Sequence, residues 1–145
     1  MMHQPDEWLI LFGVSEHRWV RGLAMGRYSH VAAVGRVSGL GLWLIHEVDL
    51  GGTNIVALPD GEHADEFWRG VRGKTACVVM PAARGKGAMW WRPGMWCVPA
   101  VAHLVGVRGA VMRPDALFRA CLAQGGELAW SNVRCGKWGR QAVLA

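Results

Sequence analysis

Two apolar-rich runs, residues 29–37 and 42–48, are separated by Ser38-Gly39-Leu40-Gly41. Two glycines in four residues suit a chain reversal and would weaken any strand or helix running through them. The runs therefore predict a β-hairpin. A hairpin also decides which side chains meet, because opposed residues of an antiparallel pair share a face. With a two-residue turn at Ser38-Gly39, His30 faces Glu47; with a four-residue loop, it faces Asp49. Either carboxylate could orient the imidazole and favour its charged form. Glu47 ranks first, then Asp49, then His46. His46 points to the other face unless the register is bulged. The plain alternative is that Glu47 and Asp49 are solvent-side strand residues.

The remaining chain reads as short elements around this hairpin. EWLILFG (7–13) is a buried strand that ends at a glycine. Ser15 caps a short helix over 16–24, stopped by Gly26. Residues 54–58 make a further strand. Asp60 is a good N-cap for a helix over 61–71, whose Ala64, Phe67, Trp68 and Val71 form one apolar face. TACVVM (75–80) is a wholly apolar strand, and 81–94 is a loop rich in Gly, Arg and Trp. Pro114 opens a last helix reaching about Gln124, stopped by Gly125-Gly126. Residues 127–145 predict two short strands about Cys135-Gly136-Lys137. Leu128, Trp130, Val133, Trp138, Val143 and Leu144 make this tail too apolar for a disordered segment. It should lie as edge strands on its own sheet or against another subunit. No repeat or linker interrupts the chain, so residues 1–145 read as one α+β domain with a mainly antiparallel sheet: a core over 7–125 and an ordered extension over 126–145.

A helix is also predicted over 95–105, and Pro99 locates its start. Proline is tolerated only in the first helical turn, so the helix begins close to Cys97. A cysteine there feels the positive end of the helix dipole, which favours thiolate. His30 could take its proton and return it later to a leaving group. The plain alternative is a small core cysteine and a hydrogen-bonded strand histidine.

Composition narrows the class. The chain has 145 residues, enough for one real core, with 52% hydrophobic and 19% charged residues, which excludes a disordered chain. No apolar run approaches the ~20 residues of a membrane span. The acidic start, Met1-Met2-His3-Gln4-Pro5-Asp6-Glu7, lacks the basic n-region of a signal peptide, so export by that route is not expected; a cytoplasmic protein, or one released by lysis or carried in a particle, would share that lack. Cysteines at 77, 97, 121 and 135 contain no C-x-x-C pair, so zinc-ribbon and thioredoxin readings fail and reduced thiols are expected. Residues 1–66 carry nine acidic and four basic side chains; residues 67–145 carry two and twelve. The basic half could meet a polyanion, an acidic partner or the acidic half of its own fold.

The order strand histidine, carboxylate on the next strand, cysteine at a helix start resembles circularly permuted papain-like (NlpC-like) thiol hydrolases. That clan includes cell-wall endopeptidases, amidases and acyltransferases. More closely, the chain looks like small phage and prophage proteins of that type. The residues that carry the resemblance are EWLILFG (7–13), RYSHVAAV (27–34), LWLIHEVD (42–49), MWCVPAVAHLVGV (95–107) and MRPDALFRA (112–120). By this resemblance Cys97 is the nucleophile, His30 the base and Glu47 the orienting residue. It implies a permuted papain-like fold and a peptide or acyl substrate, with no cofactor and no metal. Pro99, the Trp-rich loop before Cys97 and the tail after Gly125 depart from it.

Nine tryptophans are many for this length. Trp90, Trp91 and Trp96 cluster just before Cys97 and could wall a cleft, stacking on substrate. Trp8, Trp43 and Trp68 read better as core. Gly73-Lys74-Thr75 mimics the end of a phosphate loop, but the required first glycine would stand at Trp68, and a strand follows. His46-Glu47 begins like a zinc-protease motif, but Leu50 stands where the second histidine belongs. His3, His17, His63 and His103 show no ligand spacing. Arg84, Lys86, Arg92, Arg134, Lys137 and Arg140 alternate with Trp90, Trp91 and Trp138 in a way that could hold a single strand. No nucleic-acid motif accompanies them, so a nucleic-acid partner is not expected.

Two functions follow as expectations. The first is a thiol hydrolase or acyltransferase acting on an amide or ester, such as a cell-wall peptide. The second is a non-catalytic phage structural or accessory protein that binds other subunits through its surface and tail.

Overall fold

The computed structural model describes residues 3–82 and 96–132. Six strands form one sheet in the order β4-β3-β2-β1-β5-β6, with every neighbouring pair antiparallel. The strands are β1 (Glu7–Gly13), β2 (His30–Val37), β3 (Leu42–Val48), β4 (Thr53–Pro59), β5 (Ala76–Pro81) and β6 (Glu127–Ser131). Four helices accompany them: α1 (Arg18–Ala24), α2 (Glu62–Arg72), α3 (Cys97–Leu104) and α4 (Pro114–Ala123). The protein is thus α+β, as expected.

Period-two alternation divides the sheet's side chains between two cores. Ile10, Phe12, Val31, Ala33 and Val78 pack with Val98 and Val101 of α3 and Leu117 of α4. Leu9, Leu11, Val34 and Cys77 pack with Phe67, Trp68 and Val71 of α2. α2 turns the apolar face expected of it to this second core. Trp8 is buried in the first core, and Trp43 and Trp68 meet edge-on at 4.9 Å beside the second. All three serve the interior, as large rings in a small domain should.

The hairpin loop spans four residues. A short 3-10 turn over Ser38–Leu40 is closed by Gly41 at φ 59°, where a side chain would be strained. Val37 therefore pairs with Leu42, Ala33 with His46 and Ala32 with Glu47.

Four expectations about helix ends need correction. Asp60 does not cap α2; Gly61 is the N-cap residue and no side chain caps it. Asp60 instead accepts hydrogen bonds from the Arg36 guanidinium and from Trp43 Nε1. The Arg36 charge holds its carboxyl below the usual range. An ion pair and an indole donor thus outbid the backbone for that carboxylate. The first helix begins at Arg18, not Glu16, and Ser15 is not its cap. Ser15 Oγ does accept from the His17 N–H at 3.2 Å, so it closes a turn one step earlier. Its stop is Met25 in the left-handed region, not Gly26.

α4 opens at Pro114 and is followed by Gly125 at φ 95°, as expected. A Cβ on the neighbouring Gly126 would come within 2.7 Å of the Cys121 carbonyl and of Met80 and Val78, so this glycine seats α4 against β5. The first part of the tail is β6, an edge strand on the protein's own sheet. The expected second tail strand and Cys135 lie outside the described residues. So do Trp90, Trp91 and the basic side chains at 84, 86, 92, 134, 137 and 140.

No helix among the described residues is long and apolar enough to cross a membrane.

Candidate active site

Cys97 is the first residue of α3, with Trp96 as its extended N-cap residue. Pro99 occupies the first turn, where the absence of its N–H costs nothing. The Cys97 and Val98 N–H groups belong to the same turn, and no helical carbonyl precedes them to accept. Val98, Val101 and Ala102 anchor the helix in the core, so its start is held firmly at one end of the sheet.

His30 is the first residue of β2, paired with Gly13 at the end of β1. The β2–β3 ladder has already stopped at Ala32 and Glu47. Alternation alone would assign His30 to the α2 side of the sheet, with Ala32 and Val34. At the strand's end its ring can be shared between a carboxylate from β3 and a thiol from α3. His30 Nε2 lies 2.7 Å from Glu47 Oε1. Cys97 lines the same cleft as His30, and its side chain acts on the imidazole. That interaction is the main influence raising the His30 pKa above its ordinary 6.5, with Glu47 adding to it against the opposing effect of burial.

The structure thus brings together Cys97, His30 and Glu47, the first-ranked set. Glu47 reaches His30 on the diagonal, since it stands opposite Ala32. The direct opposition expected from a two-residue turn is not formed. Asp49, the partner expected from a four-residue loop, is drawn into its own turn. Its carboxylate accepts from the Gly51 and Gly52 N–H groups and from Asn54 Nδ2. An acceptor beside three local donors satisfies them first. His46 pairs with Ala33, its Nδ1 is buried without a partner, and burial lowers its pKa. It has no contact suited to orienting His30.

The other two described thiols lie in the core. Cys77 and Cys121 are buried, and burial pushes both up to about 12. Cys97 is only partly buried and opens on a cleft of about 760 Å³, lined by residues of α1, the 48–50 turn and the start of α4. Trp96 lines this cleft, and its Nε1 donates to the Met112 carbonyl at 3.4 Å.

Sequence reasoning missed the residues that set the strand start. Ser29 is buried, its N–H donates to the Gly13 carbonyl, and its Oγ accepts from the Ser15 N–H at 2.6 Å. Asp115 accepts from the Arg27 and Tyr28 N–H groups. Asp115 follows the helix-opening Pro114, and Ser29 precedes the histidine. No local pattern shows that either reaches across the chain. Among the described residues, no three His, Cys, Asp or Glu side chains gather as metal ligands would.

Comparison with protein-family models, with curated proteins and with solved structures found no match to this chain.

Proposed function

We propose that this protein is a thiol-dependent hydrolase or acyltransferase acting on an amide or ester, of permuted papain-like type. The observation that carries the reading is the grouping of Cys97, at the start of α3, with His30 on one cleft, the imidazole held from behind by Glu47 at 2.7 Å. In this reading His30 takes the Cys97 proton and Glu47 holds the imidazolium. The sulfur attacks the substrate carbonyl, and the first-turn N–H groups of α3 stabilise the oxyanion. His30 returns its proton to the leaving group, and an acyl-enzyme remains. Water or another acceptor then releases the acyl group. A cell-wall peptide is one substrate of the right bond type.

A second reading, a phage structural or accessory protein binding other subunits, draws support from edge strand β4, where Ile55 and Val56 are exposed.

Alkylation separates the two. Iodoacetamide below pH 7, read by mass spectrometry, should label Cys97 before Cys77, Cys121 and Cys135. His30→Ala should slow Cys97 labelling by roughly tenfold or more, because a thiol without its base is mostly protonated there. Slow, equal labelling of all four cysteines would favour the structural role.

A further inference from the structure

The described residues include eleven large hydrophobic side chains that stand exposed. Five of them, Val14, Trp19, Leu23, Leu50 and Trp96, line the one cleft that holds Cys97 and His30. Trp19 is 56% exposed, Leu23 70% and Leu50 64%. Isolated exposed hydrophobics need no explanation, but a convergent set around a thiol does. They come from four separate places: the end of β1, helix α1, the turn before β4 and the start of α3. No single amphipathic helix accounts for the grouping.

Charge is sparse on the same walls. Among the described residues, Glu16, Asp49 and Arg113 are the only acidic or basic lining groups besides the histidines, and Asp49 is committed to its own turn. The cleft volume, about 760 Å³, is of the size that encloses a small molecule.

We infer that this cleft receives the apolar acyl chain of an ester or thioester, the chain lying on Trp19, Leu23 and Leu50 with its carbonyl at Cys97; the inference rests on the thiol reading above. The Cys97 sulfur forms a bond to the carbonyl carbon as the bond to the leaving oxygen or sulfur breaks. The leaving group departs with the electron pair and takes the proton held by His30. Water then attacks the thioester, passes a proton to His30, and displaces Cys97 as the free thiol and the acyl chain as a carboxylic acid.

The test uses the full chain with p-nitrophenyl acetate, butanoate, hexanoate and octanoate below their micelle concentrations. Nitrophenolate release gives kcat/KM, and mass spectrometry locates the acyl group. Alkylation of Cys97 by iodoacetamide is measured alongside, because it reports the thiol independently of chain length. Transfer of a methylene from water to an apolar wall predicts a rise of roughly two- to fourfold per added carbon. From acetate to octanoate the gain should exceed about fiftyfold, with the acyl group on Cys97. Leu23→Asp and Trp19→Glu, at mostly exposed positions that spare the core, should each flatten that dependence. Fast Cys97 alkylation with rates indifferent to chain length would overturn the inference and leave the thiol reading intact. Faster acylation by an N-acetyl-aspartyl ester than by hexanoate would do the same. No acylation by any ester, with Cys97 alkylating as slowly as Cys77 and Cys121, would overturn both.

Discussion

Asp115 Oδ1 accepts a hydrogen bond from the Tyr28 N–H at 2.8 Å, across 87 residues of chain. Its Oδ2 accepts from the Arg27 N–H at 2.9 Å. One carboxylate on the first turn of α4 therefore fixes the backbone that enters β2, two residues before His30. Gly26 permits the approach, since a Cβ there would lie 2.7 Å from the Asp115 carboxylate. Removing both charge-assisted bonds leaves two backbone donors without their partner. Asp115→Ala should lower stability by about 2–4 kcal/mol. Asp115→Asn, which keeps one acceptor, should lose about half of that. Urea unfolding at unchanged m-value measures both, and an Ala variant within about 0.5 kcal/mol of the parent would contradict the assignment.

Protonation of His30 links the site to stability. Its charged form is favoured by the neighbouring Cys97 side chain first and by Glu47 next, which together outweigh burial, so its folded pKa lies above 6.5. The stabilisation is then fully present below about pH 6.5 and is lost as pH rises through the folded value. The His30 ring should titrate above 6.5 by NMR. Its midpoint should fall in both Cys97→Ala and Glu47→Gln, and further in the former. The stability gap between wild type and His30→Ala should narrow from pH 6 towards pH 9. A midpoint at or below 6.5 in the wild-type protein would show that the two neighbours do not outweigh the burial of the ring.

The edge strand β6 protects the second core. Trp130 pairs with Cys77, stands 6.1 Å from the Trp68 ring, and its Nε1 donates to Thr75 Oγ1 at 3.3 Å. Trp130→Ala should cost about 2–3 kcal/mol, less than a fully buried tryptophan because Trp130 is only partly covered. Deleting residues 127–145 should uncover β5 and make Cys77 available to iodoacetamide. A soluble truncated protein with Cys77 still protected would show the strand to be dispensable.

Much of this architecture is legible in the sequence because alternation and glycine punctuation act locally. The hairpin, β5 and α4 follow from such signals, and the proline at 99 locates the start of α3. The site was legible as far as its residue types: a thiol at a helix start, a strand histidine and a carboxylate two positions from another. What the sequence could not decide was competition among partners. Asp60 has the chemistry of a helix cap and goes to Arg36 and Trp43 instead. Asp49 has the chemistry of a triad member and closes its own turn. In each case the winning donor was fixed by geometry formed elsewhere, by strand pairing or by loop length. The same holds for Asp115, whose donors lie on a segment that only the folded chain brings near.

Loop length has a consequence of its own. The Ser38–Leu40 turn sits at the opposite end of the hairpin from His30, seven residues of strand or roughly 23 Å away. It touches nothing in the cleft, yet it acts as the gauge that indexes β3 against β2. Adding or removing one residue there would slide the two strands by one step and carry Glu47 to the far side of the sheet. The imidazole would lose its carboxylate without any change in the residues around it. The spacing of this distant reversal is therefore a hidden dimension of the site, as specific to its chemistry as Cys97 itself.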